Sequence, residues 1–251
     1  PEYATQRQIA ARIAGDDERS TRIREGLMAL LDDVLFVEDP RREGHYHPRI
    51  GAQHTLAYRA LDDGLRRAFD RLHDDFFFRR HNDFWRESAL RKLPAILSAS
   101  GMLTCGEDLG MIPDSVPATM HELRILSLEI QRMPKSPDET FASPARYPYL
   151  SVCTTSTHDM NPLRAWWRED RPLTERFYGE VLGERGEAPA DCTPELCRRI
   201  VEMHLASPAM LVVLPWQDWM STDGALRLAD PERERINVPA IPRYYWRYRM
   251  H

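Results

Sequence analysis

The 251-residue chain is long enough to bury one large core or two small ones, and its 42% hydrophobic and 29% charged content is that of an ordinary soluble globular protein. A formal net charge of −5 argues against duplex nucleic acid or an anionic membrane as partner, since both select a basic surface. No apolar run approaches the roughly 20 residues of a membrane span, no secretory leader opens the chain, and four cysteines without zinc-type spacing read as reduced thiols of a cytoplasmic protein.

Residues 1–100 read mainly as helix. Leu61, Leu65, Ala68, Phe69 and Leu72 recur at i, i+4, i+7, i+8 and i+11, the spacing of one helix face. Phe84, Trp85, Ala89, Leu90, Leu93, Ile96 and Leu97 predict a second helix, which Pro94 should limit or bend. Val34–Val37 is a possible short strand. Segment 41–54 is loop-like, and its His45 and His47 lack a third partner at metal-ligand spacing, so they read as solvated loop residues. From residue 101 to 251 the character changes. Short apolar runs at Met102–Cys105, Ile125–Ile130, Leu150–Thr154 and Leu211–Leu214 alternate with helical patterns or long connections. Pro113–Leu123 is a crossover of suitable length. Thr193 is a natural N-cap with Pro194 at the first helical position, ahead of Leu196, Ile200 and Met203 on one face. Strand–helix–strand alternation predicts a parallel α/β sheet, with the Pro-rich 134–148 piece as a long loop.

In such folds functional groups gather past the C-terminal ends of strands. The four predicted ends carry Glu107-Asp108, Glu129-Ile130-Gln131-Arg132, Thr154 through Asp159, and Trp216-Gln217-Asp218. Because strand side chains alternate faces, only one of Glu107 and Asp108 can point into a cleft, and the other should bond to backbone or a neighbouring helix. A shielded carboxylic acid facing a second carboxylate across a sugar ring is the requirement of glycoside cleavage. Carboxylates at strand ends also cap helices or bind arginine. Trp166, Trp167, Trp216, Trp219, Tyr244, Tyr245 and Trp246 could stack on sugar rings or simply pack a core.

Thr104-Cys105-Gly106-Glu107-Asp108-Leu109-Gly110-Met111-Ile112-Pro113, Leu126 through Pro134, Ser151 through Met160, and Arg235-Ile236-Asn237-Val238-Pro239 through Arg249 resemble the 4-α-glucanotransferases of the amylomaltase and disproportionating-enzyme family. His47-Pro48-Arg49-Ile50 and Arg79 through Trp85 are similar as well, so the resemblance spans nearly the whole chain. It implies the C-terminal part of a (β/α)8 barrel with helical insertions: residues 1–100 a helical flanking segment, 101–251 strands five to eight. It implies Glu107 as general acid/base, Asp159 as the carboxylate that stabilises the transition state, and His158, Asn237, Gln217 and Asp218 as glucan contacts, with Asp108 structural. The resemblance further implies α-glucans, maltose and malto-oligosaccharides as partners, with no metal or organic cofactor required. The family nucleophile, an aspartate in an Arg-x-Asp-His motif, has no counterpart here. A Pro start and an end straight after an aromatic run read as an excerpt, expected to be inactive and poorly soluble alone. The alternative is a non-catalytic glucan-binding remnant. The reading requires Glu107 and Asp159 to emerge at one rim of a parallel sheet and converge on a sugar-sized hollow.

Overall fold

The computed structural model describes residues 3–110 and 112–249. Its internal contacts divide the chain into two compact units, Pro1–Trp85 and Arg86–His251.

The first unit opens with helices α1 (Gln6–Arg12) and α2 (Glu18–Asp32). Asp17 caps α2, its carboxylate accepting from the Ser20 amide at 3.0 Å, which satisfies one of the amides a helix start leaves unpaired. Strand β1 (Phe36–Glu38) falls beside the predicted Val34–Val37, and it pairs antiparallel with β2 (Tyr46–Pro48). Part of the expected 41–54 loop is therefore strand. His47 lies on β2, 3.3 Å from Asp39, and backbone bonds fix the connection that sequence polarity made look free. The short α3 (Leu56–Arg59) precedes α4 (Asp63–Asp74), capped by Asp62. Of the apolar face predicted here only Phe69 is buried, edge-on to Phe36 and Tyr58; Leu65 and Leu72 stay exposed. A π-helical stretch, Asp75–Arg80, leads into α5 (His81–Ser98). Helix α5 runs through Pro94 to Ser98, so the proline does not end it.

The second unit holds the parallel sheet. An isolated parallel bridge joins Cys105 to Leu126, so the predicted Met102–Cys105 strand is reduced to its last residue. Helix α6 (Ser115–Glu122) follows, then β3 (Ser127–Ile130), the long Pro-rich loop, and β4 (Ser151–Thr154). Helices α7 (Leu163–Glu169), α8 (Arg171–Arg176) and α9 (Pro194–Leu205) lead to β5 (Leu211–Val212) and α10 (Trp216–Met220). The strands lie in the order β3-β4-β5, all parallel, with Leu128 opposite Val152 and Val152 opposite Leu211. Helix α9 starts as predicted: Thr193 Oγ1 accepts from the Leu196 amide at 3.3 Å, and Pro194 occupies the first turn, where no amide donor is needed. Leu196, Ile200 and Val201 are buried with Trp167 and Phe177 in one apolar cluster, and Met203 packs against it. Burial of this helical cluster is a main source of the second unit's hydrophobic stabilisation.

Candidate functional site

The residues past Cys105 divide as strand alternation requires. Asp108 is buried, with Oδ1 accepting from the Leu128 amide at 2.9 Å and Oδ2 lying 2.7 Å from Lys135 Nζ. Lys135 also reaches Glu129 at 2.7 Å, so one ammonium ties two strand-end carboxylates together. Gly106 packs beneath α6: a Cβ there would meet Met120 Cε at 2.7 Å, and the flexible tip of that methionine would have to swing aside. Glu107 points the other way and is exposed. It lines a hollow of about 370 Å³ on the sheet face formed by Leu128, Val152, Thr154, Leu211 and Val213. Its Oε1 accepts from the Leu109 amide at 2.9 Å.

Past β4, residues 155–162 form a loop held by the buried Asp218 and the half-buried Arg132. Asp218 accepts from Thr155 Oγ1 at 2.5 Å, from Ser156 Oγ at 3.2 Å and from the Leu163 amide at 2.8 Å. It has no exposed surface, and burial raises its pKa even though these donors and Arg132 pull it down. Asp218 therefore cannot line a cleft as expected; its oxygens are already spent on protein donors. Arg132 donates to the carbonyls of Thr155 and Asn161 at 2.8 and 2.9 Å, and its guanidinium lies 4.7 Å from the centre of the Trp166 ring. Burial brings its pKa down to about 10, which keeps it charged at neutral pH.

At the tip of this clamped loop the exposed His158 and Asp159 meet side chain to side chain, Nε2 to Oδ2 at 3.3 Å. Asn237 Nδ2 donates to Asp159 Oδ1 at 2.6 Å, and Trp246 Nε1 donates to Asn237 Oδ1 at 3.1 Å. The Trp246 and His158 rings are 5.4 Å apart, which closes a ring of four residues. Arg164 and Glu234 form a buried pair at 2.5 Å just before the Asn237 segment, and Gln217 Nε2 donates to the Glu234 carbonyl at 3.1 Å. Gln217 and His158 share a second hollow, of about 520 Å³, with Pro215, Trp216, Ile236 and Tyr248.

The two halves of the geometric expectation separate. Cys105 precedes Glu107, and β4 precedes Asp159, in one parallel sheet, so both carboxylates follow strand ends at the same edge. Asp159, however, is not among the residues that line the hollow of Glu107. The structure brings together His158, Asp159 and Asn237, with Gln217 nearby. Sequence reasoning placed Arg132 at a strand end but missed its contacts, and it missed the Arg164–Glu234 pair. Their partners lie 23 to 70 residues away, a distance at which no local pattern signals a contact.

The sequence profile of Glyco_hydro_77, the 4-alpha-glucanotransferases, matches residues 48–251. The chain belongs to this family. It is 38% identical to "4-alpha-glucanotransferase DPE2" of Oryza sativa subsp. japonica over 98% of its own length and 27% of that protein. A 4-alpha-glucanotransferase of Chlamydia muridarum is 31% identical over 63% of this chain and 30% of the relative. An amylomaltase from Streptococcus agalactiae, solved in complex with acarbose, superposes with a TM-score of 0.45 at 15% identity, covering 59% of this chain and 27% of that one. The chain thus spans about a quarter to a third of the length of the relatives it matches.

Proposed function

We infer that this family member contributes the acid/base and the transition-state carboxylate of a retaining 4-α-glucanotransferase. Residues 101–251 would then be the later βα units of a (β/α)8 barrel in a cytoplasmic enzyme, with residues 1–100 as a helical flank. Family membership and the placement of Glu107 and Asp159 past the same edge of one parallel sheet support the reading; the strand placement carries it.

In this reading an α-glucan such as maltotriose binds with its scissile bond at Glu107. The protonated Glu107 gives its proton to the departing glycosidic oxygen while an aspartate from outside this chain attacks the anomeric carbon. A second glucan's hydroxyl then displaces that aspartate, and Glu107 takes the hydroxyl proton back. Retaining chemistry needs the two carboxyl groups about 5–5.5 Å apart, so the nucleophile must face Glu107 across its hollow. Asp159, held by Asn237 and His158, presents its oxygens to the sugar hydroxyls, where they stabilise the oxocarbenium-like transition state. The groups used are carboxylates, amides and imidazole, and no step calls for a metal or organic cofactor.

In the intact polypeptide, Glu107→Gln is expected to cut maltotriose disproportionation by on the order of 10²–10⁴-fold with the fold unchanged, followed by chromatography of the oligosaccharide products. Full activity in that variant would remove Glu107 from the chemistry. Residues 1–251 alone are expected to be inactive, because no Arg-x-Asp-His occurs in them; glucose release from maltotriose by that piece would overturn this.

A further inference from the structure

The tip of the His158–Asp159 loop and the Asn237 segment meet through an exposed hydrogen bond, Asn237 Nδ2 to Asp159 Oδ1, across 78 residues of chain. Water competes for both partners of such a bond, so its net contribution is small and it does not by itself hold two segments in register. Behind it lies a second, buried link between the same segments. Arg164 stands five residues after Asp159, in the first turn of α7. Glu234 stands three residues before Asn237, at the end of a 3₁₀ turn (Pro231–Glu234). Arg164 Nη1 donates to Glu234 Oε1 at 2.5 Å and to the Leu228 carbonyl at 2.7 Å, and the two side chains are 5% and 3% exposed.

The arms that join this pair to the exposed contact are stiff. On one, Arg132 holds the Asn161 carbonyl at 2.9 Å, Asp218 holds the Leu163 amide at 2.8 Å, and the ring of Pro162 fixes its own φ. On the other, Gln217 Nε2 holds the Glu234 carbonyl at 3.1 Å, and Arg235 Nε donates to the Asn237 carbonyl at 2.9 Å. The pair, the two arms and the Asn237–Asp159 bond form a closed circuit, so a shift at the buried end reaches the exposed one. A buried ion pair is a poor source of net stability, because desolvation of both charges offsets most of their attraction. What it supplies is direction. Apolar side chains fill such a space in several registers, whereas a guanidinium and a carboxylate are satisfied in one.

We propose that Arg164 and Glu234 are positioning residues for glucan transfer: their buried pair sets the register of the Asn237 segment, and so aims the Asn237 amide at Asp159. This rests on the reading that Asp159 acts on the sugar. Neither Arg164 nor Glu234 touches the substrate; both act through Asn237.

The test uses the intact polypeptide with maltotriose. Arg164→Met and Glu234→Leu together remove the pair without stranding a buried charge, a replacement that buried pairs commonly tolerate. The expected result is a kcat lower by at least roughly tenfold with KM within about threefold, since a small misplacement at the reacting centre costs rate more than binding. Asn237→Ala should then cost far less in that background than in the native one, because the alignment it removes is already lost. A native kcat in the double variant, or two losses that multiply independently, would make the pair purely structural. Should the double variant not fold, Arg164→Lys keeps the buried charge pair on a shorter side chain, and the Asn237→Ala comparison is read there with the same two outcomes. A crystal structure of the folded variant reads the positioning without any assay. Asn237 Nδ2 is expected beyond hydrogen-bond distance of Asp159 Oδ1, and retention of the 2.6 Å bond would overturn the proposal. If Asp159→Asn leaves kcat intact, the catalytic reading has failed, and that crystal structure still decides whether the pair aims Asn237.

Discussion

At the residue scale the carboxylates at the strand ends divide into two kinds. Asp108, Glu129 and Asp218 are consumed by amides, hydroxyls and Lys135, whereas Glu107 and Asp159 are exposed. Glu107 and Asp159 also accept hydrogen bonds, so exposure, not pairing, sets these two apart. Asp159 is aimed by a relay: the Trp246 indole N–H fixes the Asn237 amide oxygen, which turns the amide nitrogen toward the carboxylate. Trp246→Phe deletes that N–H and keeps a smaller aromatic ring. One neutral hydrogen bond contributes about 0.5–1.5 kcal/mol net, so transfer should slow by no more than roughly tenfold. The loss should fall mainly on kcat rather than KM, because an aromatic face remains while the hydrogen bond that aims Asp159 is gone. Steady-state kinetics on maltotriose read the split; a raised KM with kcat intact would make Trp246 a plain binding surface.

At the element scale α9 shows how burial couples to pH. His204 is 1% exposed, its ring nitrogen Nδ1 lies 2.7 Å from the Ile200 carbonyl, and Nε2 has no partner. Burial, helped by the nearby positive Arg132, lowers its pKa from 6.5 to about 4. The unfolded chain therefore binds a proton that the folded one refuses between those values. His204 contributes its full share of stability above pH 6.5, and that share falls as the pH drops through about 4. The loss is on the order of 3 kcal/mol. His204→Leu should flatten this part of the profile, which urea denaturation at pH 7 and pH 5 would reveal; an unchanged slope would place the titration elsewhere. The same helix shows what the sequence made legible. Thr193, Pro194 and the Leu196–Ile200 face follow from local rules, as do the parallel strands and the Glu107/Asp108 alternation. The short extent of β5 and the contacts of Arg132 and Asp218 do not, because they depend on partners brought together only by the fold. Residues that obey capping and alternation were readable; those that answer to distant charges were not.

At the scale of the whole molecule, the surface around Glu107 is the unresolved element of the physics. In the second unit Val213 is 58% exposed and Leu211 39%, and both lie on the sheet face that Leu128 and Val152 share. Sheet faces of aliphatic side chains are buried in soluble proteins because each exposed square ångström costs about 25 cal/mol. The sheet also ends at a two-residue β5 on one side and at the single bridge of Cys105 on the other, so backbone donors and acceptors are left open at both edges. Such a surface demands cover. The relatives are three to four times longer than this chain, which gives ample polypeptide to supply it. Expressed alone, residues 1–251 should therefore self-associate and bind a hydrophobic dye, with light scattering after size-exclusion chromatography reporting species well above 29.2 kDa. Val213→Lys and Leu211→Lys together should shift the distribution toward monomer if this face drives association. The same pair in the intact polypeptide should destabilise it, since two charges would then enter a covered apolar face. A compact monomer from residues 1–251, or an intact protein indifferent to both lysines, would mean that the face is solvent-exposed by design and that the nucleophile does not approach Glu107 from that side.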